Sequence, residues 1–258
     1  MYVIIVSDLE GASCVGRDDM IPFENEGYQE ARKFLMADVN AAIEGAFSGG
    51  ATKVTVLDGH GGGGNFIPGA LDERANLIPG SEFVEKPLLG YDALFCVGAH
   101  AMAGTEKAFL DHTQCATKWF EYCINGVPCG EMAQQVYCLG AFGVPLVMMS
   151  GDRATCEEAK RLAPGVVTAC VKATEYRNRA ECLPQEEALD LIRAAAKEGV
   201  QRTKEIRPCV LPLPAEIRVT FTRNDYCDEA MHEGLERQGR TVQRTLTKIG
   251  CYADIAFP

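Results

Sequence analysis

Four histidines occur in the chain, and two of them directly follow short apolar runs. Lys53 to Leu57 passes into Asp58-Gly59-His60, and Ala93 to Val97 passes into Gly98-Ala99-His100. A third run, YVIIV at 2–6, passes into Ser7-Asp8-Leu9-Glu10-Gly11. Runs of this kind read as buried strands of a parallel sheet. In an open parallel sheet, ligands bind beyond the carboxyl ends of the strands. Two imidazoles and an acidic pair, from three separate strands, then meet at one edge. That is metal-ligand chemistry, since imidazole with carboxylate suits zinc or a similar divalent ion. Asp8 and Glu10, two apart on an extended segment, point to the same face. Glu131 opens the helix expected over 130–142 and adds a third carboxylate. His112, beside Asp111, lies in the irregular stretch after His100.

Each of these residues taken alone has an ordinary alternative. Asp8 suits a turn, Glu10 a surface, and Glu131 the first turn of a helix, where an acid favours the macrodipole. His60 or His112 alone could be solvated, and His100 alone a satisfied buried histidine. The combination carries the argument, not any member of it. His232, on a late segment expected to be helical, has no such setting and reads as a surface residue.

Competing signals are weaker. Gly59 to Gly64 matches G-x-G-x-x-G after a strand, but Asn65-Phe66-Ile67-Pro68-Gly69 follows where a dinucleotide site needs a helix. The glycines instead let the loop approach a metal site or a substrate closely. No G-x-S-x-G elbow and no P-loop lysine pattern occurs, and Lys53 and Lys118 stand alone. The 12 cysteines include no C-x-x-C pair, so a thiolate zinc site lacks its signature. They read as reduced, mostly core residues.

The elements that must position the acids and histidines follow a βαβ rhythm. Strands are expected at 2–7, 53–57, 93–98, 144–149 and 166–172, with helices over 25–48, 130–142, 152–163 and 184–204. Between 104 and 129, Trp119 to Ile124 precede Asn125-Gly126, a hairpin signal. The stretch 205–215 carries three prolines and is the best internal boundary. Beyond it, 216–222 and 241–246 read as strands and 225–237 as helix. The expected fold is therefore α/β: a mainly parallel sheet covered by helices, a hairpin insertion, and a smaller C-terminal α+β portion. Residues 1–204 form the catalytic domain and 205–258 a Pro-rich connection with a small C-terminal portion, which can belong to the same domain.

Composition removes several classes of function. The 258 residues are 47% hydrophobic and 24% charged, enough for a large core without staples. With 25 Lys+Arg against 36 Asp+Glu the net charge is −11, which argues against nucleic acid and anionic membranes as partners. No run of 18 apolar residues occurs and the N-terminus lacks a basic region, so a cytoplasmic protein is expected.

Taken in order, Ser-Asp-Leu-Glu-Gly at 7–11, Asp-Gly-His at 58–60, Gly-Ala-His-Ala at 98–101, His112 and Gly-Glu-Met at 130–132 resemble the zinc-dependent D-aminopeptidases of the dipeptide-transport-operon type. The likeness covers most of residues 1–203 and weakens after 215. It implies two zinc ions per subunit, with Asp8, Glu10, His60, His100 and Glu131 as ligands and Asp8 between the metals. It implies that His112 is catalytic, that the substrate is a short peptide with a D-residue at its N-terminus, and that the chain forms a homo-oligomer, a decamer. Two departures touch the walls of the site. The loop at 59–64 is richer in glycine, and the stretch from His100 to His112 is one residue longer than the family pattern. Both bear on substrate preference more than on the ligands. Alternatives are another dinuclear-metal hydrolase, such as an amidase or phosphoesterase, and a non-catalytic metal- or nucleotide-binding module.

Overall fold

Four consecutive β-branched residues, Val3 to Val6, favour extended backbone and form the middle of an interior strand of the main sheet. The computed structural model describes residues 1–257. Its strands are β1 (Tyr2–Ser7), β2 (Lys53–Asp58), β3 (Ala75–Ile78), β4 (Ala93–Ala99), β5 (Trp119–Ile124), β6 (Val127–Pro128), β7 (Leu146–Asp152), β8 (Val167–Tyr176), β9 (Arg179–Cys182), β10 (Ala215–Phe221), β11 (Glu236–Gln238) and β12 (Thr241–Leu246). Its helices are α1 (Glu26–Gly49), α2 (Gly80–Glu85), α3 (Glu131–Ala141), α4 (Arg153–Leu162), α5 (Gln185–Gln201) and α6 (Asn224–Ala230).

Seven strands make the main sheet in the order β3-β2-β1-β4-β7-β8-β9. All its pairings are parallel except β8 with β9. Side chains of β1 alternate between two cores. Val3 and Ile5 pack with Leu35, Val39 and Ile43 of α1 and with Ile192 and Ala196 of α5. Ile4 and Val6 pack with Met132 and Val136 of α3, Cys156 and Ala159 of α4, and the inner face of the second sheet. Burial on both faces explains why these strands read as unbroken apolar runs.

The second sheet runs β11-β12-β10-β5-β6 and is antiparallel. It joins the expected hairpin, turning at Asn125-Gly126, to the C-terminal strands. Three elements escaped the sequence reading. The edge strand β3 and the one-and-a-half-turn α2 are too short and too exposed to show a period. The antiparallel β9 is four residues at the other edge. The helix expected over 225–237 is a correction: α6 ends at Ala230, and 236–238 are strand. Only Met231 and Leu235 are apolar in 231–237, too few to hold a helix face, and the segment gains more by pairing with β12. His232 is exposed, as expected. Among the described residues no helix is long and apolar enough to cross a membrane.

The ends of β1 and β4 are in backbone contact. Asp8 N–H donates to Val97 O at 2.8 Å and Gly11 N–H to Gly98 O at 2.7 Å. Gly98 has φ +72°, and a methyl there would sit 2.2 Å from the Asp8 carbonyl oxygen; a methyl at Gly11 would sit 1.9 Å from that of Ala99. Only glycine permits this approach. Gly98→Ala is expected to cost about 3 kcal/mol or more, lowering the melting temperature by roughly 6–12 °C. Calorimetry giving an unchanged transition would contradict the close contact.

Candidate metal centre

Parallel register brings the three strand ends level. Ser7 stands beside Asp58 in one direction and Val97 in the other. The residues just past those positions converge. His60 Nδ1 lies 3.1 Å from Asp8 Oδ1 and 3.1 Å from Glu10 Oε2. His100 Nε2 lies 3.3 Å from Asp8 Oδ2 and 3.4 Å from Glu131 Oε1. Asp8 thus faces one imidazole with each oxygen. His112 Nε2 is 3.8 Å from Glu131 Oε1, and its ring stacks on that of His100 at 3.9 Å between centroids. All six residues named from the sequence meet in one place. The segment carrying Asp8 and Glu10 is a turn rather than extended strand. Both carboxylates nevertheless reach His60.

Local structure fixes which ring nitrogen faces inward. His100 Nδ1 is 3.0 Å from Ala101 O and His112 Nδ1 is 2.7 Å from Leu110 O. An Nδ1–H donating to each carbonyl leaves Nε2 of both rings turned to the carboxylates, the usual way a ligating imidazole is oriented. Glu131, at the N-terminus of α3, accepts from Gln114 N–H at 2.6 Å. Gln114 Nε2 in turn donates to Gln134 Oε1 and Tyr252 OH at 2.8 and 3.1 Å.

The glycine loop is held from behind. Asp58 accepts from Asn65 N–H, Asn65 Nδ2 and Phe66 N–H at 2.7, 2.8 and 3.1 Å. Asn65 Nδ2 also donates to His60 O at 2.7 Å. The loop therefore serves to bring His60 round. Sequence reasoning singled out Asp58 only as part of a motif and Asp152 only as the start of a helix, and passed over Gln114 and Lys172. Lys172, the last residue of an apolar stretch VVTACVK, was the readable signal among these. A lysine inside a buried strand needs a partner.

The electrostatics call for positive charge. Burial opposes ionisation of Glu10, yet His60 beside it holds its carboxyl well below the usual range. Burial likewise opposes a charge on His60, but Glu10 and Asp8 override it and raise the imidazolium to about 11. His100 is raised well above its ordinary value against burial by Asp8 and Glu131, and Glu131 is lowered against burial by His100. These shifts favour protonated rings beside ionised acids in the metal-free chain.

The residues fit a divalent ion. Donor separations of 3.1–3.4 Å match the edges, about 3.3 Å, of a tetrahedron with metal–ligand bonds of about 2.0–2.1 Å. Two donor trios, Asp8/Glu10/His100 and His100/His112/Glu131, each lie within 4.8 Å. A cavity of about 10 Å³ opens among Asp8, His100 and Glu131, with Cys96, Met132 and Gln135 on its wall.

A doubly covered, mainly parallel sheet with carboxylates and imidazoles gathered at its strand ends defines an α/β protein with a candidate metal centre. The sequence model of the D-aminopeptidase family matches residues 1–250. A D-aminopeptidase of Bacillus subtilis (strain 168) is 31% identical over 226 residues, covering 86% of this chain and 81% of its own. Among solved structures, the Zn-dependent D-aminopeptidase DppA from Bacillus subtilis, a self-compartmentalizing protease, matches with a TM-score of 0.91 and 26% identity, over 98% of this chain and 95% of that one. The chain belongs to the D-aminopeptidase family, whose members are metallo-aminopeptidases.

Because the His60 imidazolium is raised to about 11, it carries its proton at pH 7 and must lose it to ligate. Zinc binding is therefore expected to release at least about one proton per chain, and affinity to rise with pH. Titration calorimetry in buffers of different ionisation heat measures this, and binding without proton release would contradict it.

Proposed function

We propose that this chain is a dinuclear zinc aminopeptidase that removes D-residues from the N-termini of short peptides. The observation that carries the count of two is charge. Asp8, Glu10 and Glu131 bring three negative charges to one site. One divalent ion leaves that site anionic, whereas two leave it positive, suited to an electron-rich carbonyl. Asp8, with an oxygen toward each of His60 and His100, would be the shared ligand. Glu10 and His60 would hold one ion with it, His100 and Glu131 the other. Zinc held there supplies Lewis acidity to a scissile carbonyl and lowers the pKa of water toward neutrality.

The chain's own groups do the rest. An open position on a metal held by these residues would take a substrate's free, deprotonated amine, which would orient the first peptide bond. His112, with Nδ1 tied to Leu110 O and Nε2 facing the acids, is placed to hand a proton to the leaving amine. Its ring, stacked on His100, is held in that attitude. A second reading has one observation behind it: His112 forms a donor trio with His100 and Glu131 and could itself be a ligand.

The D-preference rests on family membership and on the names of the relatives. The self-compartmentalizing character of DppA supports a homo-oligomer, for which we propose a decamer. The catalytic unit is residues 1–204, which hold every proposed ligand, with 205–258 completing the second sheet. All 12 cysteines are free, which supports a reducing compartment, the cytoplasm.

His112→Ala is expected to keep its metal and lose turnover by on the order of 10²–10⁴-fold. Loss of an ion, read by metal analysis, would favour the ligand reading instead. Asp8→Ala is expected to lose both ions together, and two ions still bound would remove it from the shared position. On a panel of D- and L-dipeptides, the D-forms should be cut and N-acetylated peptides refused. Cleavage of acetylated peptides would point to a different hydrolase on the same scaffold.

A further inference from the structure

Lys172 is the one buried lysine among the described residues, at 2% exposure. It lies in β8 beside Asp152 of β7 in the ladder. Its ammonium donates to three backbone carbonyls, Glu10 O at 2.5 Å, Ala12 O at 2.8 Å and Val15 O at 2.6 Å. An ammonium has three protons, and all three are used on one turn. The same nitrogen lies 4.7 Å from the centre of the Phe109 ring. Asp152 Oδ2 accepts from Phe109 N–H at 2.6 Å, while its Oδ1 caps α4 through Thr155. Three residues beyond Phe109 stands His112, fixed on Leu110 O.

We infer that Lys172 is a positioning residue for the reaction: it draws the Glu10 turn and the Phe109–His112 segment onto one buried point, and so sets the metal-holding and proton-handling sides of the site relative to each other. A buried ammonium needs full hydrogen bonding, and the three carbonyls supply it. Asp38 secures the same turn from the other side, accepting from Ser13 N–H and Oγ–H at 2.6 and 2.5 Å. The turn cannot drift without breaking both anchors. The inference deepens the proposed metal site and rests on it.

The test is Lys172→Met. Zinc affinity by chelator competition should weaken by at least about tenfold, and the visible bands of the cobalt-loaded protein should shift. Amide exchange over 8–15 and 109–112 in the metal-free protein should quicken. Ile192→Ala, in the core between α1 and α5, is the control for destabilisation and should leave zinc affinity and cobalt bands unchanged. Wild-type affinity, bands and exchange in Lys172→Met would overturn the inference, as would equal losses in the control. If Lys172→Met does not fold, Lys172→Gln, which keeps two donors, is read in the same way and should show a smaller loss. A wild-type chain that binds no zinc overturns the metal reading. Exchange at 8–15 in those metal-free samples then still decides whether Lys172 orders the turn.

Discussion

Like charges repel, and this fold forces three carboxylates together at the end of a sheet. Asp8, Glu10 and Glu131 come from the end of β1 and the start of α3, and each lies within hydrogen-bonding or ion-pair reach of an imidazole. Such a cluster persists only if cations are supplied. In the bare chain the cations are protons on His60 and His100. Exchange of those protons for metal turns an electrostatic burden into a reactive centre. Much of the surrounding structure is organised to hold the acids and imidazoles while that exchange occurs.

Polar side chains add to the cores in holding the site. The two cores fix the sheet and its helices and reach past the strand ends through Leu9, Ala12, Val15 and Phe109. There the backbone is held by charged side chains: Lys172 and Asp38 on the Glu10 turn, Asp58 on the glycine loop, Asp152 on Phe109, and Glu158, which accepts from Met102 N–H at 2.9 Å. Such hydrogen bonds to charged groups in a low dielectric are stronger than neutral ones. The C-terminal region joins the same network. Tyr252 OH donates to Gln134 Oε1 at 3.0 Å, and Gln114 links that pair to Glu131. The last turns of the chain thus support a proposed metal ligand from the far side.

The parallel strands and their covering helices were legible because burial on both faces writes long apolar runs, and Gly49-Gly50, Asp152 and Asn125-Gly126 punctuate them. The gathering of Asp8, Glu10, His60 and His100 was legible for one reason: parallel strands put their carboxyl ends on the same side. Glu131 and His112 are less readable, since one opens a helix and the other sits in irregular chain; their types made them candidates, and ordered likeness to a family supplied their roles. The edge strands β3 and β9 carry no period, and the end of α6 depends on a pairing made only in the folded sheet. Lys172, Asp152 and Gln114 act on backbone atoms far away in sequence. No spacing rule encodes such contacts, although a lone lysine closing an apolar strand was a visible hint.

Anomalous diffraction at the zinc edge, from crystals grown with zinc and without chelator, bears most directly on the centre. Two peaks less than about 4 Å apart are expected, one against Glu10 and His60, the other against His100 and Glu131, with the Asp8 carboxylate between. A single enclosed ion, or zinc bound only elsewhere on the surface, would contradict the account.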